Sequence, residues 1–244
     1  MLEYIFVFFV AILVGAINGV AGGASVISYP VLLATGMPPV TAAITNALGV
    51  TPANFFALIS VRHQMRAFLR EYRQLITISI AGSIIGAVLL LSVPPRVFEM
   101  IVPFLLLFAS FSFLIRPKPD RGRHQRLVEK ITIGASGFYC GYFGPGQGVI
   151  VIAALARDAA RDPKTLNTIK NVIVGWTSII SNIIYVFSGR AQWSFVIALA
   201  LGASIGGGVG GLWAGRISPA FYRALIITVG FGASLWLFHR YYLA

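Results

Sequence analysis

The sequence predicts an all-α polytopic membrane protein made of two inverted repeats, each a glycine-broken re-entrant helical hairpin plus three transmembrane helices. Three observations predict it. The 244 residues are 57% hydrophobic and 11% charged, with a mean hydropathy of +0.84, whereas soluble domains run roughly 45–50% apolar and about 25% charged. Long uncharged stretches alternate with short basic loops, and the order of stretches and breaks occurs twice. The same composition excludes an ordinary soluble enzyme, a disordered chain and a disulfide-stapled secreted domain.

From Tyr4 to Val61 there is no Asp, Glu, Lys or Arg. A spanning helix needs about 20 residues, so this run is too long for two plain helices. Gly22, Gly23, Pro30, Gly36, Pro38 and Pro39 interrupt it. Glycine and proline punctuate helices and divide the run into 4–21, a 24–35 piece too short to span, and 39–61. Residues 74–93 form the next span, closed by Pro94 and Pro95. Residues 97–115 follow, with Arg96 and Glu99 at the mouth. The second half repeats the order: an uncharged 131–156 broken by GPGQG at 144–148, then 165–187, 192–214 and 218–238. Glu3 and the lack of an early Lys or Arg make the N-terminal stretch mature, membrane-inserted chain rather than a cleavable signal.

The halves superpose by letter as well as by order. Gly15, Gly19, Gly22 and Ala24 fall on Gly137, Gly141, Gly144 and Gly146 at one constant offset, and Ser25 falls on Gln147. With small changes of offset, Asn46 falls on Asn171, and Gly82 and Gly86 on Gly206 and Gly210. Such self-similarity reads as an internal duplication. Residues 1–115 are a first repeat, 116–130 a cytoplasmic linker loop and 131–244 a second repeat, within one membrane domain.

The net charge of +12 comes from 19 Lys and Arg against 7 Asp and Glu. In a membrane protein this excess sets orientation, because cytoplasmic loops collect basic residues; no nucleic-acid partner is expected. Loop 62–73 holds Arg62, Arg66, Arg70 and Arg73. Loop 116–130 holds Arg116, Lys118, Arg121, Arg123, Arg126 and Lys130, and both lie inside. Residues 157–164, with Arg157, Arg161 and Lys164, separate two arrangements. If each broken segment crosses once, they lie outside; if each is a re-entrant hairpin, they join the other basic loops inside. The hairpin arrangement places more basic residues inside and is preferred. It gives three crossings per half, an odd number, which inverts the repeats in the manner of many transporters.

Non-helical backbone at membrane depth is tolerated only where it is buried in protein or lines a cavity. The two breaks, 18–25 and 140–148, are therefore the candidate site. A short helix starts after each, and its free N–H groups and positive dipole end favour an anion. Backbone donors are expected around Gly22, Gly23, Ala24 and Ser25, and around Gly144, Gly146, Gln147 and Gly148. Asn18, Thr45, Asn46, Asn171 and Thr177 are further polar candidates, with Asn46, Gln147 and Asn171 as side-chain donors. Lys170 is the informative ionisable residue: it offers charge compensation, the alternative being that it snorkels to the nearby interface. The remaining glycines and Cys140 read as close packing.

A single cysteine excludes an internal disulfide, and His63, His124 and His239 flank charged or terminal segments, so neither metal nor cofactor is expected. No Asp or Glu lies deep in a span. No nucleophile is paired with a base, so the chain reads as no enzyme. What remains is transport of a small neutral or anionic solute, the helix ends favouring the anion.

GAINGVAGGASVISYPVLLATGMPPVTAAITNAL in the first half and GFYCGYFGPGQGVIVIAAL in the second resemble the TauE/SafE family of sulfite exporters. The family shows a glycine-rich break, a hydrophobic helix, a proline and a leucine pair, matched here by Pro30, Val31, Leu32 and Leu33. The resemblance covers essentially the whole chain. Ala24 stands where a third glycine is usual, and Pro145 interrupts the second copy. The resemblance implies export of sulfite, a sulfonate or a related sulfur oxyanion across a bacterial inner membrane. The alternatives it leaves are an uptake permease for thiosulfate or another sulfur-containing anion, and a non-transporting membrane scaffold. It leaves a homo-oligomer open.

Overall fold

A computed structural model describes residues 2–20, 23–59, 65–114, 124–158, 160–213 and 218–243. Among the described residues there are eleven α-helices and no strand: α1 Leu2–Val20, α2 Ser25–Ala34, α3 Pro39–Ile59, α4 Met65–Glu71, α5 Arg73–Ser92, α6 Pro95–Ser112, α7 Gln125–Tyr142, α8 Gln147–Leu155, α9 Pro163–Phe187, α10 Trp193–Trp213 and α11 Pro219–Phe238, with a π-helical turn at His239–Leu243. Four stretches, Arg73–Ser92, Pro95–Ser112, Pro163–Phe187 and Ala220–Leu243, are long and apolar enough to cross a membrane. Phe9, Ile85, Ile197 and Phe221 are each more than half exposed. Exposed apolar surface of that kind suits a lipid environment.

The helices differ from expectation in three places. Helix α7 starts at Gln125, inside the stretch expected to be a polar loop, because Glu129 is buried against Arg161 rather than facing water. Loop 62–73 contains α4. Both breaks are narrower than 18–25 and 140–148: α1 continues to Val20 and α2 begins at Ser25, while Cys140 and Gly141 stay helical and only Phe143–Gly146 leave the helix.

Glycines set the closest helix contacts. In α5 and α7, Gly82 faces Gly134 and Phe138, and Gly86 faces Phe138 and Tyr142. A Cβ on Gly137 would land on the Ser79 carbonyl, and one on Gly141 on the Ser83 carbonyl. In α1 and α10, Gly202 faces Phe8 and Ala11, and Gly206 faces Ile12 and Ala16. Small residues let backbones meet at this range, and dispersion then acts over the whole interface.

These contacts also give direction. Both residue numbers rise together along α5 and α7, and along α1 and α10, so each pair runs parallel. Helix α3 also runs with α10: Thr45 meets Gln192, Gly49 meets Leu199 and Ala53 meets Gly207. Helices α6 and α11 run opposite ways, with Ser110 at Gly230, Pro103 at Ser234 and Met100 at Tyr242. Helix α9 begins beside the starts of α5 and α7. Arg161 pairs with Glu129 at 2.5 Å and lies 5.6 Å from the Tyr72 ring centre. Two parallel sets result, α1–α3–α10 and α5–α7–α9, each mixing helices from both halves of the chain.

Candidate functional site

Helices α2 and α8 have 10 and 9 residues. At 1.5 Å per residue each covers about 15 Å, half of a bilayer core of about 30 Å. Their N-termini open into one cavity of about 60 Å³, room for a few waters or one small oxyanion at about 10–15 Å³ per water-sized sphere. The second break is shaped by Gly144 and Gly146, with φ of +95° and +91° on either side of Pro145. Only glycine takes this left-handed backbone without strain, and Ala109 closes the space a Cβ on Gly146 would need.

Most of the expected site residues meet in this cavity. Asn18, Gly23, Ser25 and Asn46 line it from the first half, and Gly144, Gly146, Gln147, Gly148 and Lys170 from the second. Gly22 lies outside the described residues. Three others stand behind the wall. Ala24 is fully buried as it leads into α2. The Thr45 hydroxyl accepts the Gln192 N–H at 3.1 Å. Asn171 is buried beside Lys170 without lining the space. Thr177 turns toward α5, where its hydroxyl meets that of Ser79 at 2.8 Å.

The rest of the wall is Ala47, Val50 and Thr51 on α3, Cys140 on α7, and Val174, Ser178, Ser181 and Asn182 on α9. The signal for them was present in the sequence. Lys170, Val174, Ser178, Ser181 and Asn182 recur at three- and four-residue steps, which places them on one helix face. Cys140, read as packing, is at the wall, its sulfur 3.9 Å from the Ser178 hydroxyl.

The polar groups are partly committed and partly free. Ser28 donates to Asn46 Oδ1 at 2.5 Å, which orients that amide. Asn182 donates to the Thr51 hydroxyl at 2.8 Å and leaves its own Oδ1 without a partner. Gln147 is 3% exposed, and its Nε2 is buried with no acceptor. Lys170 is 2% exposed and sits about 10 Å along α9 from Pro163 at 1.5 Å per residue, so it does not snorkel outward. Among the described residues no carboxylate pairs with it. A buried amide donor without an acceptor and a buried lysine amine without a carboxylate partner face one small space, and an anion supplies a partner to each.

Curated relatives are bacterial. The chain is 28% identical to "Probable membrane transporter protein ORF9" of Sinorhizobium sp, over 95% of this chain and 91% of the relative. It is 28% identical to a "Probable membrane transporter protein" of Haemophilus influenzae, over 92% and 90%. It is 27% identical to "Probable membrane transporter protein YfcA" of Escherichia coli K12, over 91% and 84%. No solved structure matches. Residues 7–237 match the family profile described as sulfite exporter TauE/SafE.

Proposed function

The chain belongs to the sulfite exporter TauE/SafE family, a multi-pass membrane transporter rather than an enzyme, and from that premise we propose that it carries a small oxyanion, sulfite or a related sulfur anion, out across the bacterial inner membrane. The observation that carries the proposal is the cavity between the N-termini of α2 and α8, with Gln147 Nε2 unpartnered and Lys170 unpaired by any carboxylate among the described residues. The N–H groups of Val26, Ile27, Gln147 and Val149 already donate to the carbonyls of Gly23, Ala24, Gly144 and Gly146, so the Gln147 side-chain amide and the Lys170 ammonium supply the hydrogen bonds and charge, with the dipole ends of both short helices behind them. The neutral groups of Asn18, Asn46, Ser178 and Asn182 complete the lining.

The proposal includes an inverted arrangement of two repeats, residues 1–115 and 131–244 around the 116–130 linker, with re-entrant α1–α2 and α7–α8 segments. Its support is directional. Helices α1 and α3 both run with α10, so α2 turns back between them, while α6 and its counterpart α11 run opposite ways. The convergence of Arg161, Glu129 and Tyr72 supports a position for Arg161 on the same side as the starts of α5 and α7.

The test is a thermal-shift screen of the purified protein against sulfite, sulfate, thiosulfate and sulfonates, followed by flux of labelled anions in proteoliposomes. A ligand of the folded state raises apparent stability with concentration. Sulfite should raise the midpoint and cross the vesicle membrane. If no oxyanion stabilises the protein and none crosses, the proposal is wrong; if thiosulfate alone does both, the uptake alternative takes its place.

A further inference from the structure

Lys170 and the Cys140 thiol are the titratable side chains among the cavity-lining residues. Among the described residues, the elements packed on α9 bring no countercharge to Lys170. Helices α3 and α8 contain no titratable residue. Helix α7 brings Cys140, Tyr139 and Tyr142. Its ionised groups, Arg126, Glu129 and Lys130, sit at its start, where Glu129 is taken by Arg161. Helix α5 has Arg73 in its first turn, and α4 carries Arg66, Arg70 and Glu71 near the same end.

An ammonium so placed, inside a membrane without a counterion, is unfavourable. Two events relieve it: an anion arrives, or the proton leaves. Both lie open to Lys170, because the cavity that would admit the anion also admits water. We infer that Lys170 couples transport to protons, gaining one as the anion binds and giving it up as the anion departs. This rests on the anion-carrier reading. On the binding side the neutral amine takes one proton from water, forming one N–H bond and an ion pair. On the release side the same bond breaks and the proton returns to water. The loaded site holds a cation with its anion and the empty site a neutral amine, so the protein moves between its two states without an unpaired charge.

The test uses purified full-length protein in proteoliposomes with a pH-sensitive dye trapped inside. The probes are labelled methanesulfonate and thiosulfate, which bring no proton of their own at neutral pH, with labelled sulfite as the arm for carriage alone. With acid outside, label accumulates and the lumen acidifies in step; label loaded inside vesicles without a pH gradient leaves down its own gradient, the direction of export, and the lumen turns alkaline in step. Lys170→Arg, whose guanidinium keeps its proton, binds with altered affinity and still exchanges external for internal anion, but loses accumulation driven by the pH gradient. Label entering without luminal acidification, or Lys170→Arg accumulating label as the parent does, overturns the coupling while leaving transport in place. If none of the three anions enters under any gradient, the carrier reading falls and the coupling with it.

Discussion

Arg161 is held by Glu129, its guanidinium 2.5 Å from Oε1, and this pair joins the start of α9 to the first turns of α7. Asp158 lies 3.4 Å from the same guanidinium, and the Leu155 carbonyl accepts from it at 3.2 Å. Removing one partner of a buried pair leaves an uncompensated charge, at a cost of about 3–5 kcal/mol when burial is complete. Here Asp158 stays in place and the guanidinium is partly wet, so Glu129→Gln should cost about 2 kcal/mol. Arg161→Met combined with Glu129→Leu should recover part of that. Thermal unfolding in detergent reads both; a Glu129→Gln protein as stable as the parent would show that the pair contributes nothing.

Gly137 and Gly232 should answer alanine substitution in opposite ways. A Cβ at Gly137 meets the Ser79 backbone, which cannot rotate aside, whereas a Cβ at Gly232 meets nothing within 4 Å. Overpacking costs roughly 1–3 kcal/mol, and alanine is favoured over glycine in a helix by up to about 1 kcal/mol. Gly137→Ala should lower the unfolding midpoint and the yield of monodisperse protein, and Gly232→Ala should leave both unchanged or higher. Equal behaviour of the two variants would refute close packing of α5 on α7 through glycine.

Gln147→Leu separates binding from folding. Its Nε2 has no partner in the protein, so replacing it with an apolar group forfeits no internal hydrogen bond from that nitrogen and relieves a buried unsatisfied donor. The unliganded protein should be as stable as the parent or more so, while the stabilisation given by a bound oxyanion shrinks or disappears. An undiminished ligand-induced shift in Gln147→Leu would remove this residue from the site.

Asp162 caps α9. Its carboxylate accepts the Thr165 hydroxyl at 2.6 Å and the N–H groups of Thr165 and Lys164 at 3.1 and 3.0 Å. The Thr165 hydroxyl, then its N–H, holds the carboxyl below its ordinary value. A depressed folded-state value means the cap is at full strength above the unfolded value, about 3.9, and is lost as pH falls through the folded one. Asp162→Ala should therefore unfold at lower temperature than the parent at pH 7, and the difference should close on acidification. A difference that grows in acid would contradict the sign.

The helices were legible because hydropathy and punctuation carry them: Pro94, Pro95 and the glycine runs mark ends that the backbone respects. The breaks were legible for the same reason, and the cavity lies at them. The glycine run at 206–211 is the exception and marks no end, since it lies inside α10. Less legible still was the α9 wall. Ser178, Ser181 and Asn182 look like ordinary polar residues in a span, and only the face shared with Lys170 distinguishes them. Thr45 and Asn171 do not line the cavity, and a polar side chain in a membrane helix serves as well to join helices as to meet a solute. Thr45 does the former with Gln192. Glu129 was hidden because charge alone suggests water, and its partner is thirty-two residues away.

The glycine seam between α1 and α10 has a consequence for how the chain is made. Helix α1 leaves the ribosome with eight described helices between it and α10, so the groove along Gly15 waits through the synthesis of all of them for the ridge that fills it. Helix α5 waits less, since α7 follows after a single intervening helix. The protein thus assembles its second seam before its first. Any cellular factor that shields small-residue grooves in nascent membrane chains would find a longer-lived target on α1 than on α5.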